Sequence, residues 1–141
     1  MRFWDSSAII PLLCLEASSP AMQGLYRADP DLLVWAFTRT EVLSALCRRL
    51  REGSLLQDEF RAARERLRAI AADWTENVLL DAVLDRSDRL LEVHPLSAAD
   101  SLQLAAALVS VEERPRDFPF VTLDDRLGDA ASREGFRVEG A

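Results

Sequence analysis

Four acidic residues carry the chemistry this sequence could perform: Asp5, Glu41, Asp100 and Asp124. Asp5 and Asp124 each lie just past a short apolar run of strand length, Arg2 to Trp4 and Phe118 to Val121. Glu41 lies one helical turn after a second such run, and Asp100 falls in the first turn of an apolar helix. In a parallel α/β sheet the carboxyl ends of the strands converge on one edge, where ligands bind. Four carboxylates gathered there repel one another strongly unless a cation intervenes. Hard oxygen ligands with no His or Cys suit Mg2+ or Mn2+, as one or two ions. Divalent ions held in this way can activate water and stabilise the charge that develops on a phosphodiester during in-line displacement. No side chain is then needed as general base. Asp125, adjacent to Asp124, is an alternative or additional ligand.

Each acid taken alone has a plainer explanation. Thr38-x-x-Glu41, Ser97-x-x-Asp100 and Thr122-x-x-Asp125 match the capping-box pattern, and Asp5 precedes a helix. Capping and metal binding can coexist in one residue. Capping does not explain why so many acids should gather at one sheet edge.

The elements that must position these residues follow from the apolar pattern. Arg2 to Trp4 reads as a strand turning directly into a helix at Ala8 to Leu15, with Asp5 or a serine as N-cap. A second helix is predicted around Ala21 to Arg27, and a strand over Leu32 to Phe37, with Trp35 and Phe37 as core residues. Thr38 to Arg51 reads as a helix closed by Gly53. Leu56, Phe60, Ala63, Leu67 and Ile70 mark an amphipathic helix. Beyond Trp74 the pattern predicts a strand at Val78 to Leu80 and a helix at Ala82 to Leu91. Ser97 to Val109 is a helix apolar nearly all round, as expected of one buried against a sheet. A polar loop at Glu112 to Asp117 leads to a strand at Phe118 to Val121 and a helix at Leu123 to Arg133. Gly135 closes that helix before a strand at Phe136 to Val138. Alternating short strands and helices predict an α/β fold with a mostly parallel sheet sandwiched by helices.

With 141 residues, the chain supports a single domain, 1–141. It carries a formal charge of −7 and seventeen basic residues, all arginine. Such a protein is poorly suited to charge-driven coating of DNA or anionic membrane. The lack of lysine excludes Schiff-base, P-loop and receiver-domain chemistry. No apolar run approaches membrane-spanning length, and Asp5 interrupts any signal-peptide core. Cys14 and Cys47 read as free thiols, so a cytoplasmic location is expected. With one histidine and no C-x-x-C a His/Cys zinc site is not expected. The absence of G-x-S-x-G argues against a serine hydrolase, and no second acid stands two residues after Asp5 for aspartyl-phosphate chemistry. His94 reads as a surface or capping residue.

In four segments, Asp5-Ser6-Ser7-Ala8, Thr40-Glu41-Val42-Leu43-Ser44-Ala45-Leu46, Asp100-Ser101-Leu102-Gln103-Leu104-Ala105-Ala106-Ala107 and Val121-Thr122-Leu123-Asp124, the chain resembles the PIN-domain ribonucleases. The likeness is strongest to the VapC toxins of bacterial toxin–antitoxin pairs and extends from Arg2 to Val138. It implies a PIN-like three-layer α/β/α sandwich and a Mg2+- or Mn2+-dependent endoribonuclease, the toxin of a type II pair. Asp5, Glu41, Asp100 and Asp124 match the family's metal-binding acids, and Ser6 and Thr122 its small hydroxyl positions. The expected partners are an RNA substrate, a cognate VapB-like antitoxin and a second copy in a homodimer. Arg48 and Arg49 follow Glu41 on its helix and either meet RNA phosphate or simply favour the helix dipole. The competing expectation is a PIN-like RNA- or protein-binding scaffold without catalysis. A DNA-directed nuclease differs only in substrate.

Overall fold

The computed structural model describes all residues, 1–141. Its strands are β1 (Arg2–Trp4), β2 (Leu32–Trp35), β3 (Thr75–Asn77), β4 (Pro119–Val121) and β5 (Arg137–Glu139). Its helices are α1 (Ser6–Leu13), α2 (Ser19–Ala28), α3 (Thr38–Arg51), α4 (Gln57–Ala71), α5 (Leu80–Val93), α6 (Ala98–Ser110) and α7 (Asp125–Glu134). The strands form one sheet in the order β3-β2-β1-β4-β5, and every neighbouring pair is parallel.

Side-chain alternation along these strands builds two cores. Phe3, Leu33, Trp35 and Phe120 face one side, where Val83, Leu90, Leu104 and Leu127 of α5, α6 and α7 cover them. Trp4, Leu32, Val34 and Val121 face the other, against Ile9, Met22, Val42 and Phe60 of α1 to α4. A period of two with both faces apolar is what a central parallel sheet requires. On the first face Phe3 stacks on Phe120 at 5.2 Å, and Phe120 meets Phe136 at 5.4 Å. Ala105, Ala106 and Ala107 let α6 lie close beneath the sheet, fully buried. Trp4 and Met22 are likewise core.

The chain starts in the middle of the sheet, proceeds outward through β2 to β3, then returns past β1 to place β4 and β5 on the other side. The topological switch point is therefore the gap between the carboxyl ends of β1 and β4, where a crevice opens in such sheets.

Several expectations need correction. The apolar triplet Val78-Leu79-Leu80 is not a strand. The strand lies just before it at Thr75–Asn77, and Val78 and Leu79 are exposed. As an edge strand β3 needs no continuous apolar run, and Asn77 anchors it by donating to the Ala106 carbonyl at 3.0 Å. β2 ends at Trp35, and Phe37 is 48% exposed, with its ring tilted against Trp35 at 5.1 Å. His94 is the C-cap of α5, its backbone N–H donating to the Leu90 carbonyl at 2.8 Å, but it is not a surface residue. It is buried, with Nε2 2.7 Å from Glu134 Oε1, and Glu134 also meets Arg86. Gly135 closes α7 as expected, with φ +108°, in the left-handed region open to glycine.

Candidate functional site

Asp5 is placed by the end of β1. Its backbone N–H donates to the Val121 carbonyl of β4 at 2.9 Å, and its side chain caps α1. The carboxylate is buried and its two oxygens are treated differently. Oδ2 accepts from the Ser7 hydroxyl at 2.5 Å, the Thr122 hydroxyl at 3.0 Å and the Ser7 backbone N–H at 3.2 Å. Oδ1 has only the Ser6 hydroxyl, at 3.5 Å. Burial pushes the Asp5 carboxyl above the ordinary carboxylate range, and the bonds from Ser7 and Thr122 offset part of that rise.

Glu41 reaches the same crevice from the first turn of α3. Its Oε2 accepts from Ser6 Oγ at 2.9 Å and Gln103 Nε2 at 3.1 Å, so the Ser6 hydroxyl links it to Asp5. Gln103 is held in turn by Thr38 Oγ1, to which its Nε2 donates at 3.1 Å. Burial is the main cause that raises the Glu41 carboxyl. The bonds from Gln103 and Ser6 lower it, and the Asp5 and Asp100 charges raise it further.

Asp100 sits in the first turn of α6, whose N-cap Ser97 accepts from the Asp100 backbone N–H at 3.2 Å. Burial raises its carboxyl most, followed by the Asp124 charge; the Ser97 bond lowers it, and the Asp5 charge again raises it. Asp124 caps α7 through Oδ1, which accepts from Leu127 N–H at 2.8 Å. Four helix N-termini thus aim at one crevice, where their dipoles favour negative charge. Asp5, Glu41 and Asp124 each commit one oxygen to the fold at normal hydrogen-bond length and leave the other without such a bond.

The Asp5 and Asp100 charges raise Glu41, the Asp124 and Asp5 charges raise Asp100, and no arginine is among the groups that shift Asp5, Glu41 or Asp100. No three His, Cys, Asp or Glu side chains stand in an arrangement that would hold a metal ion by themselves. The donors that the crevice does offer are all oxygens, the kind that Mg2+ takes. The all-oxygen donor set with uncompensated negative charge fits such an ion.

The capping-box expectation holds in part. Ser97 caps α6, but the N-cap of α3 is Phe37, and Thr38 turns inward to Gln103. At α7 the cap is Asp124, while Thr122 accepts from the Asp124 N–H at 3.0 Å and donates to Asp5. Asp125 is exposed and lines a separate hollow with Gly128 and Asp129, away from the other acids.

Beside Glu41 lies an open groove of about 760 Å³ between α1, α3 and α6. Phe37, Thr40, Glu41, Ser44, Ala45 and Arg48 form one wall, along α3; Ser6, Ser7, Ile10, Ala99 and Leu102 line the rest. Arg48 is in this groove. Arg49 is not: it pairs with Glu16 at 3.1 Å and borders a different hollow with Cys14 and Arg66. Ser7 and Gln103 are site residues that type and spacing alone do not assign. The only signal for Ser7 is its place as the second hydroxyl after Asp5, and for Gln103 its place three residues beyond Asp100 on an otherwise apolar helix.

No protein-family model and no curated protein matches the chain by sequence. Solved structures of similar fold include the two that follow. The crystal structure of FitAcB from Neisseria gonorrhoeae matches with a TM-score of 0.67 at 16% identity, over 98% of this chain and 96% of that one. That of PAE2754 from Pyrobaculum aerophilum matches with a TM-score of 0.62 at 19% identity, over 97% and 87%. The fold is the PIN-like three-layer α/β/α sandwich that the sequence resemblance implied, its five-stranded sheet wholly parallel. No helix is long and apolar enough to cross a membrane.

Proposed function

We propose that this chain is a metal-dependent endoribonuclease of the VapC type, the toxin of a type II toxin–antitoxin pair. The observation that carries the reading is the crevice at the switch point, where Asp5, Glu41, Asp100 and Asp124 stand at four helix N-termini and the Ser6 hydroxyl joins the Asp5 and Glu41 carboxylates. Asp5, Glu41, Asp100 and Asp124 would hold one or two Mg2+ or Mn2+ ions. When bound, such an ion supplies activation of water and stabilisation of the negative charge developing on the phosphodiester.

The remaining residues keep that set in place. Ser7 and Thr122 fix the Asp5 carboxylate by one oxygen, so that the other is directed toward Ser6 and Glu41. Thr38 and Gln103 hold Glu41 from behind. Arg48, further along the groove, meets a phosphate of the substrate strand. A cognate antitoxin would oppose this activity by inserting a basic segment into the acidic crevice. A second copy of the chain would cover the exposed leucines of α5.

Purified, antitoxin-free protein is expected to cleave RNA with Mg2+ or Mn2+ and to stop on addition of EDTA. Asp5→Asn should lower the rate on the order of 100-fold or more, since even the partners of metal ligands are worth 10- to 100-fold, with the circular dichroism spectrum unchanged. Cleavage that persists in EDTA, or full activity of Asp5→Asn, overturns the assignment. If no nucleic acid is cut under any metal condition, the non-catalytic scaffold takes its place. Cleavage confined to DNA keeps the chemistry and changes the substrate.

A further inference from the structure

Phe37 stands out as a large apolar side chain whose exposure serves neither of the two cores. It is half exposed at the very start of α3, yet it is not loose: Trp35, itself fully buried, backs one side of its ring. The rest of the ring opens into the groove beside Glu41. Phe37, Glu41, Ser44 and Arg48 follow at spacings of four, three and four residues, so they share one face of α3. Along the axis Phe37 lies about 6 Å before Glu41 and Arg48 about 10 Å after it. The groove thus presents, in order, a flat aromatic ring, a carboxylate and a guanidinium.

We infer that Phe37 is a stacking platform for a nucleobase of a single-stranded RNA, the base next to the phosphate held at the acidic crevice, with Arg48 taking a phosphate further along the strand. The inference rests on the nuclease reading and adds how that site grips its substrate. The charge order of the groove favours a nucleotide strand over a protein segment. A basic segment can enter the crevice at Glu41 but is repelled by Arg48 if it continues along the groove, whereas a strand accompanied by a cation satisfies both. The hydroxyls of Thr40 and Ser44 line the same groove and can donate to sugar and phosphate oxygens, which a purely apolar helix could not use. A ring already held by Trp35 loses little freedom on stacking, so most of the contact is retained as affinity.

The test is binding of a fluorescein-labelled, single-stranded oligoadenylate to the full chain, in the Asp5→Asn background with Mg2+ to prevent cleavage. Adding Phe37→Ala should weaken binding roughly 5- to 160-fold, the range that one base–aromatic stack spans, and Phe37→Trp should restore it. An abasic ribose-phosphate oligomer of the same length should bind equally well with and without Phe37→Ala, a result that a purely structural role for the ring does not produce. With Asp5 intact, Phe37→Ala should raise KM with kcat little changed. If Asp5→Asn binds the oligoadenylate and the addition of Phe37→Ala changes nothing, the stacking role is overturned while the nuclease reading stands, and the groove passes to a protein partner. If the parent protein neither binds nor cuts RNA, both are overturned.

Discussion

Asp5 takes three hydrogen bonds on one oxygen and almost none on the other, two more on that oxygen than the single bond by which it caps α1. The same division in Glu41 and Asp124 separates the part of each side chain that serves the fold from the part available to a ligand. It also has a measurable cost. The carboxyls of Asp5, Glu41 and Asp100 are raised, burial being the first cause in each. A carboxyl raised on folding binds its proton more tightly in the folded than in the unfolded state. Stability therefore falls as pH rises from the ordinary carboxylate range through the raised values, and the full penalty is present above them. Asp100→Asn removes one such charge together with its repulsion from Asp124 and Asp5. In EDTA at neutral pH this variant should melt about 2 to 5 °C higher than the parent. The gap should close as pH falls to about 4, where the unfolded carboxyls also protonate. With saturating Mg2+ the order should reverse, because ligand binding to the folded state stabilises the parent more. Thermal melts under the three conditions check this. A parent that is the more stable protein in EDTA would contradict the electrostatic account.

At the scale of elements, α3 shows how neighbouring side chains are given different work. Arg48 and Arg49 are about 100° apart around a helix, and this alone sends one into the groove and the other to Glu16. Arg48→Ala is expected to raise KM for RNA several-fold with an unchanged melting temperature. Arg49→Ala should leave KM alone and lower stability by no more than about 1 kcal/mol, the range of a partly exposed ion pair. Steady-state cleavage and denaturant titration of the two variants separate these outcomes. Type and spacing in the sequence bring Asp5, Glu41, Asp100 and Asp124 to one place and make α6 recognisable from its alanines. They do not distinguish Arg48 from Arg49, because the choice depends on the rotation of α3 against α1, which is set by packing. They misplace β3 for a related reason. Val78, Leu79 and Leu80 have the apolar composition of a strand, but the residues that pair with β2 are Thr75, Glu76 and Asn77, held by backbone bonds and by Asn77's grip on α6. The aromatic type of Phe37 points to the core, and only the end of β2 at Trp35 turns it outward.

At the scale of the whole molecule, the two apolar sheet faces leave one substantial apolar surface uncovered. Leu80, Leu84 and Leu91 lie along one side of α5, with Leu84 and Leu91 each 44% exposed, and Val78 and Leu79 extend the patch. Aligned exposed leucines of this kind are a feature of association surfaces. The chain is expected to sediment as a dimer, and Leu84→Asp combined with Leu91→Asp should convert it to a folded monomer. Sedimentation velocity across a concentration series measures this; a wild-type protein that stays monomeric when concentrated would remove α5 as the interface. The three-layer arrangement is legible in the sequence because strands and helices alternate without long linkers. The strand order is not, since no local pattern marks where a chain doubles back across its own first strand.

That doubling back sets a schedule. Asp5 leaves a ribosome before every other residue of the site, and the Thr122 hydroxyl that steadies it comes 117 positions later. Until β4 docks against β1, the first strand is an edge and the crevice has a single wall. Asp124, which completes the acidic set, follows β4 directly. A nascent chain therefore carries every other part of the site in an unassembled state, and its long-range closure comes last, as contacts of high sequence separation do. An activity directed at RNA would be silent on a chain still being translated and would begin only when synthesis has passed β4.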